Sequence, residues 1–242
     1  MDTQSKNKQN IMEQPRNKDQ KCPVVLVLDT SGSMEGAGIN ELNTALTKLK
    51  DDILSDPTLT QRLELGIVCF DDESRIERPI DLVSVDTQMP SLETGGTTNV
   101  VAGLNTAMEM VEERKRFYKD NGEQYYRPFI VLFTDGAPTN TEEEIEALDV
   151  KIQQMADNKK FVFIPFGVEG ADMQLLAKLA VQTADERLKN QAKAWQMKDL
   201  SKFGEVFAFV SSSISEAINK GGTQTATISS DVAQAVTFDL GT

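Results

Sequence analysis

Three oxygen-bearing side chains, Asp29, Ser31 and Ser33, stand two residues apart in Asp29-Thr30-Ser31-Gly32-Ser33-Met34. In an extended or gently turning backbone, alternate side chains point the same way, so the three oxygens can converge on one point. A carboxylate with two hydroxyls, and no His or Cys nearby, is a hard-oxygen set suited to Mg²⁺, Mn²⁺ or Ca²⁺. The same residues would equally make an Asp/Ser/Gly turn closing a strand, and short polar motifs match often by chance. A second carboxylate stands in a comparable place, in Thr134-Asp135-Gly136 directly after Phe129-Ile130-Val131-Leu132-Phe133. A third polar segment is Thr94-Gly95-Gly96-Thr97-Thr98-Asn99. Its glycine pair permits an unusual turn, and Thr or Asn can cap a following helix, so Thr97 and Thr98 read by themselves as caps.

These segments matter chemically only if the chain brings them together. Pro23–Leu28 and Phe129–Phe133 are apolar throughout and Phe161–Val168 nearly so, the pattern of strands buried on both faces. Leu63–Phe70 reads as another strand, and Ile80–Val85 as a short edge strand beside Pro79. Between them fall helical stripes: Leu42, Ala45, Leu46, Leu49 and Ile53; Val101, Leu104, Met108 and Val111; Ile145, Leu148, Ile152 and Met155 behind a Thr141/Glu144 capping box. Further stripes run through Met173–Leu179 and Phe203–Ile214, with an edge strand expected within Ala192–Met197. Alternating strands and helices predict an α/β fold with a mainly parallel sheet covered on both faces. Ligands in such sheets bind beyond the carboxyl ends of the strands, where the chain order reverses. Asp29, Asp135 and the glycine loop all map to that edge.

Composition narrows the chemistry further. The 242 residues suffice for one well-buried core or two small domains. A net charge of -13 argues against broad nucleic-acid or anionic-membrane binding. With no histidine, His-based acid–base catalysis, nucleophilic triads and imidazole metal sites are excluded. Cys22 and Cys69 would lie toward opposite ends of parallel strands, which predicts two free thiols and a reducing compartment. No apolar run reaches membrane-spanning length and the opening residues lack a secretory segment, so a cytoplasmic protein is expected. Residues 1–21 read as a flexible polar tail, 22–220 as the globular domain and 221–242 as a second flexible tail.

The ordered set of Asp29-x-Ser31-x-Ser33, a Gly-Gly-Thr loop and Thr134-Asp135-Gly136 resembles the metal-ion-dependent adhesion site of von Willebrand factor A domains. The resemblance spans about residues 22–218. It implies a Rossmann-like A-domain fold with one antiparallel edge strand in an otherwise parallel sheet. It assigns Ser31, Ser33 and Thr97 as hydroxyl ligands, with Asp29 and Asp135 in or just outside the coordination shell; Thr98 is the alternative to Thr97. It implies a divalent metal, Mg²⁺ foremost, whose coordination is completed by an acidic side chain of a partner protein. Glu41-Leu42-Asn43, Leu49-Lys50-Asp51-Asp52, Tyr126-Arg127-Pro128 and Thr134–Thr139 resemble the bacterial tellurium-resistance-associated A-domain proteins. That narrower likeness implies a role in stress or tellurite resistance beside kinase- or phosphatase-like partners.

Three rival readings stand against this one. A Mg²⁺-dependent hydrolase using Asp29 as nucleophile would want a second acid close by, and Ser31 stands where that acid would be. A dinucleotide loop at Gly36-Ala37-Gly38 lacks its third glycine, since Glu41 stands there. A metal-free scaffold with the same fold would not need the complete ligand set. Asp71 and Asp72 read as solvated strand-end acids or as acids near the site that tune its affinity, and Tyr125, Tyr126 and Arg127 as packing against the preceding helix or as a partner surface.

Overall fold

The computed structural model describes residues 19–168, 170–180, 194–197, 203–219, 223–226 and 236–239. Six strands form the main sheet: β1 (Cys22–Asp29), β2 (Leu63–Phe70), β3 (Ser74–Leu82), β4 (Phe129–Thr134), β5 (Val162–Gly167) and β6 (Trp195–Gln196). Their spatial order is β3-β2-β1-β4-β5-β6. All neighbouring pairs are parallel except β2 with β3, which is antiparallel at the edge. The fold is therefore the mainly parallel α/β architecture that the alternation of strands and helices predicts, with the one antiparallel edge strand that the resemblance implies.

All eight residues of β1 are buried. Leu26 and Leu28 face one core while Val25 and Val27 face the other, as a strand between two helical layers requires. The first layer holds α1 (Ala37–Ser55), α2 (Pro57–Arg62) and α6 (Phe203–Asn219). The second holds α3 (Val100–Asn121), α4 (Glu142–Asp157) and α5 (Met173–Leu179). Each fully buried Val or Leu contributes roughly 1.5–3 kcal/mol, so β1 anchors both layers at once. The capping box forms as expected, with Thr141 and Glu144 exchanging hydrogen bonds at the start of α4.

Several elements depart from the sequence reading. β3 begins at Ser74, six residues before the expected Ile80, and ends at Leu82 rather than Val85. Its early half carries few apolar residues because it is an edge strand held by its ladder to β2, and Ile76 is exposed. Helix α2 was not foreseen in the stretch between Ile53 and Leu63; Asp56 caps it through Thr58 N and Leu59 N, and Pro57 occupies its first turn. The last edge strand is only Trp195–Gln196.

At the termini, residues 1–18 lie outside the described residues. Lys21, assigned to the tail, is buried, bridges Tyr125, and donates from Nζ to the Asp19 carbonyl. Within 221–242, β7 (Thr223–Ala226) and β8 (Val236–Asp239) pair antiparallel as a separate two-stranded sheet. Both cysteines are buried free thiols, Cys22 at the start of β1 and Cys69 opposite Leu28 near its end. Burial pushes the Cys69 thiol up to about 12 and Cys22 higher still, which keeps both protonated and unreactive.

Candidate metal centre

The chain order reverses between β1 and β4, which are adjacent and parallel, so Asp29 and Thr134-Asp135 emerge side by side. Asp29 is 1% exposed. Its Oδ1 accepts the Ser31 N–H at 2.9 Å and its Oδ2 accepts the Thr134 hydroxyl at 2.5 Å. The Ser31 and Ser33 hydroxyls lie 3.0 Å apart, and Ser33 donates to Asp135 Oδ1 at 2.7 Å. Four of the five expected site residues thus form one continuous polar chain.

The fifth does not join it. Thr97 donates from both its amide, at 2.8 Å, and its hydroxyl, at 2.7 Å, to Asp72 Oδ1. Its neighbour Thr98 is buried and turned inward. A Cβ built on Gly136 would meet the Thr98 hydroxyl at 3.0 Å and the Ser33 hydroxyl at 3.6 Å, so these two oxygens flank the same point. Of the two threonines that the sequence leaves open, Thr98 is the one whose hydroxyl lies beside that of Ser33. The physical reason is Asp72, which captures the first threonine, and Asn99, which caps α3 through Ala102 N and fixes the register of the loop.

Asp72 stands beside this centre, bonded to Thr97. It lies under Gly96, where a Cβ would come within 2.7 Å of its carboxylate, and Gly96 has a φ of 66°. Both constraints call for glycine at that position. The available signal was the acidic run Asp71-Asp72-Glu73 that follows strand β2. Asp71, next to it, pairs with Arg75 at 2.6 Å, likewise beside the site rather than in it.

Backbone bonds tie the loops after β1, β2 and β4 and the glycine loop into one platform. Gly95 N–H donates to Thr30 O at 2.9 Å and Gly32 N–H to Gly96 O at 3.2 Å. Asn99 N–H donates to Asp71 O at 2.8 Å, and Thr139 N–H to Thr98 O at 3.0 Å. The Asn140 amide reaches Asn99 Oδ1 at 2.9 Å. The site is thus held by main-chain geometry as much as by its side chains.

Electrostatically the centre is short of positive charge. Burial raises the pKa of Asp29, hydrogen bonds from Ser31 and Thr134 oppose that rise, and the nearby Asp135 charge adds to it. Burial likewise raises Asp135, against the Ser33 hydrogen bond. Among the described residues neither carboxylate has an ion pair. Nor is there, among them, a cluster of three or more His, Cys, Asp or Glu side chains. The donor set is instead two carboxylates with three hydroxyls, all oxygen, which fits a hard divalent cation. The three hydroxyls are neutral, so only the two carboxylates would offset the charge of a bound cation.

Comparison with known proteins supplies an independent bearing. The family model of the von Willebrand factor type A domain matches residues 24–203. Inter-alpha-trypsin inhibitor heavy chain H3 of Mesocricetus auratus is 27% identical over 142 residues, covering 56% of this chain and 15% of that protein. This chain therefore spans a small part of such relatives. Among solved structures, the ArnB paralog VWA2 of Sulfolobus acidocaldarius superposes with a TM-score of 0.54 at 17% identity, covering 92% of this chain and 55% of its own. Proximal thread matrix protein 1 of the mussel byssus, solved with a zinc-occupied MIDAS motif, gives a TM-score of 0.52 at 15% identity, covering 79% and 47%.

Proposed function

This chain belongs to the von Willebrand factor type A domain family, and on that premise we propose that it is a non-catalytic, metal-dependent protein-binding module. The observation that carries the reading is the polar chain Asp29–Ser31–Ser33–Asp135, with the Thr98 hydroxyl beside it, at the switch point of the sheet. Ser31, Ser33 and Thr98 would hold a divalent cation through hydroxyls, with Asp29 and Asp135 supplying the negative charge. Mg²⁺ suits this set, and the zinc-occupied motif of the byssus protein is a precedent for a divalent ion on the same fold.

When bound, the cation supplies a Lewis-acidic position open to one further strong ligand. The residues of this chain do the rest. Thr134 and the Ser31 N–H fix the Asp29 carboxylate, Ser33 fixes Asp135, and Asp72 holds the loop that carries Thr98. An Asp or Glu side chain of a partner protein is the matching ligand, and A domains generally mediate protein–protein contacts. The chain's net charge of -13 repels acidic partners at range, but screening within about 10 Å leaves the local contact dominant.

A catalytic role fits less well. Both Asp29 oxygens are engaged and buried, and the chain has no histidine to move a proton. The narrower resemblance to tellurium-resistance-associated proteins supports a stress-response setting in the cytoplasm, with kinase- or phosphatase-like partners. Unchanged tellurite sensitivity after deletion in the source organism would remove that setting without touching the binding reading.

Calorimetric titration of metal-stripped protein with Mg²⁺ and Mn²⁺ tests the site. Saturable one-site binding is expected, lost in Asp29→Ala and weakened at least about tenfold in Thr98→Val, with Thr97→Val close to wild type. Equal loss in Thr97→Val and retention in Thr98→Val would reverse the ligand assignment. Unaltered binding in Asp29→Ala would overturn the site.

A further inference from the structure

Residues 83–99 join β3 to α3 with neither a helix nor a strand among them. Connections longer than about 12–15 residues without structure of their own are uncommon, and many of them are functional. This one ends on Thr97-Thr98-Asn99 and so delivers the Thr98 hydroxyl to the metal centre. Helix α1 holds it at two places. Asn43 donates from Nδ2 to Leu92 O at 3.0 Å and accepts the Leu92 N–H on Oδ1 at 2.8 Å. It thus exchanges both main-chain bonds of Leu92, as an opposite residue in an antiparallel ladder would. Leu92 itself is 5% exposed and packs into the core layer that α1 covers. Farther back in the loop, Lys50 Nζ donates to Val85 O at 2.9 Å and to Thr87 O at 2.6 Å.

Asparagine inside a helix needs a cause, because its side chain competes with the backbone for hydrogen bonds. The bland cause is a loop tied down for stability alone. What α1 connects argues for more. The helix begins at Ala37, just behind the Ser31–Ser33 stretch, and Asn43 then pins the segment that carries Thr98. One rigid element thereby sets hydroxyls from two separate segments against each other. From Leu92 the chain runs on to Gly95, whose N–H meets Thr30 O at 2.9 Å, and to Gly96, whose carbonyl accepts the Gly32 N–H at 3.2 Å. The threonine loop is thus registered against the serine loop twice, directly and through α1.

We propose that Asn43 is a positioning residue that makes the metal centre selective for Mg²⁺ over Ca²⁺, an inference that rests on the metal-binding reading. Mg²⁺ demands near-ideal octahedral geometry with oxygens at about 2.0–2.1 Å, whereas Ca²⁺ accepts oxygens at about 2.3–2.6 Å in flexible arrangements. Telling them apart therefore needs hydroxyls fixed to within a few tenths of an ångström. A loop tied through both the N–H and the carbonyl of Leu92 meets that demand, and a loop freed there yields to the larger ion. Asn43 acts only through the backbone that carries Thr98.

The test is calorimetry on the metal-stripped full chain, titrated separately with magnesium and calcium chloride. Wild type is expected to prefer Mg²⁺. Asn43→Ala should weaken Mg²⁺ binding at least about tenfold, the usual loss for a partner that orients metal ligands, while Ca²⁺ binding changes less than about threefold. Lys50→Met frees the more distant anchor and should lower the Mg²⁺ preference by less; it replaces Asn43→Ala should that variant lose its fold by circular dichroism. Asp56→Ala, which removes the α2 cap at the opposite end of the sheet, should lower the thermal midpoint and leave the preference unchanged. In metal-free protein, exchange of the Gly95 amide should quicken in Asn43→Ala and stay as it is in Asp56→Ala. The inference is overturned by an unchanged preference or unchanged Gly95 exchange in Asn43→Ala, by an equal change in Asp56→Ala, or by a wild type that prefers Ca²⁺. A wild type that binds neither ion removes the metal reading itself, whereas an unchanged preference in a chain that binds Mg²⁺ removes only the role of Asn43.

Discussion

At the lower end of the sheet Glu64, 2% exposed, receives two guanidinium N–H bonds from Arg114 at 2.7 and 2.6 Å, and the Tyr118 hydroxyl as well. At the upper end Asp29, 1% exposed, receives one amide and one hydroxyl, and no cation of its own among the described residues. Both carboxylates have lost their water. One has its counter-ion built into α3; the other has only neutral donors. Removing a carboxylate from water costs several kcal/mol unless it is paired. The difference therefore separates a structural charge, balanced within the chain, from a charge that remains available to an outside ion.

The largest effect should come from breaking the balanced end. Arg114→Met leaves Glu64 buried without its bidentate partner and should destabilise the fold by about 3 kcal/mol or more in urea denaturation. Adding Glu64→Gln should recover most of that loss. A cost below about 1 kcal/mol for Arg114→Met alone would mean that Glu64 is not held by charge, and the comparison would fail.

An opposite response is expected at the upper end. Asp29→Asn keeps the acceptor for Ser31 N–H, and its amide can donate to Thr134, whose hydroxyl can turn to accept. The metal-stripped Asp29→Asn variant should match or exceed wild type in thermal midpoint while gaining nothing from Mg²⁺. Wild type should gain about 2.7 kcal/mol at a metal concentration of 100 times its dissociation constant. A variant less stable than wild type without metal would show that the Asp29 charge is structural after all.

The smallest effect belongs to a carboxylate that is neither buried nor paired with a cation. Glu144 is held below its ordinary pKa by the Thr141 backbone N–H, with the Asn140 amide assisting. A lowered folded pKa means that its contribution is present above the unfolded value and lost as pH falls through the folded one. Protection of the first-turn amides of α4, measured against intrinsic exchange, should therefore fall as the pH drops through the folded value of Glu144, and Glu144→Gln should remove most of that dependence. Protection in that turn that does not change with pH would set the cap aside as an anchor.

Much of this was readable from residue order. The apolar runs of β1, β4 and β5 declared themselves because both their faces are covered, and Asp29-x-Ser31-x-Ser33 marked the ligand stretch directly. What the residue order left open depended on partners distant in sequence. Thr97 and Thr98 are chemically alike, and only Asp72, 25 residues away, decides which turns inward. Glu64 carries no local sign of its role, because its partner Arg114 lies 50 positions on. The early half of β3 carries little hydrophobic signal, since an edge strand is defined by a ladder and local composition hardly reports it.

The central place of β1 has a consequence for how the chain is made. Val24 pairs with Leu65 on one side and with Phe129 on the other. On a ribosome adding roughly 5–20 residues per second, β1 emerges some 5–20 s before the strand that covers its second edge. Through that interval a strand apolar from Pro23 to Leu28 stands with an open edge, a state prone to aggregation. Yield in the cell should therefore depend on synthesis rate and chaperone supply even where the finished fold is stable.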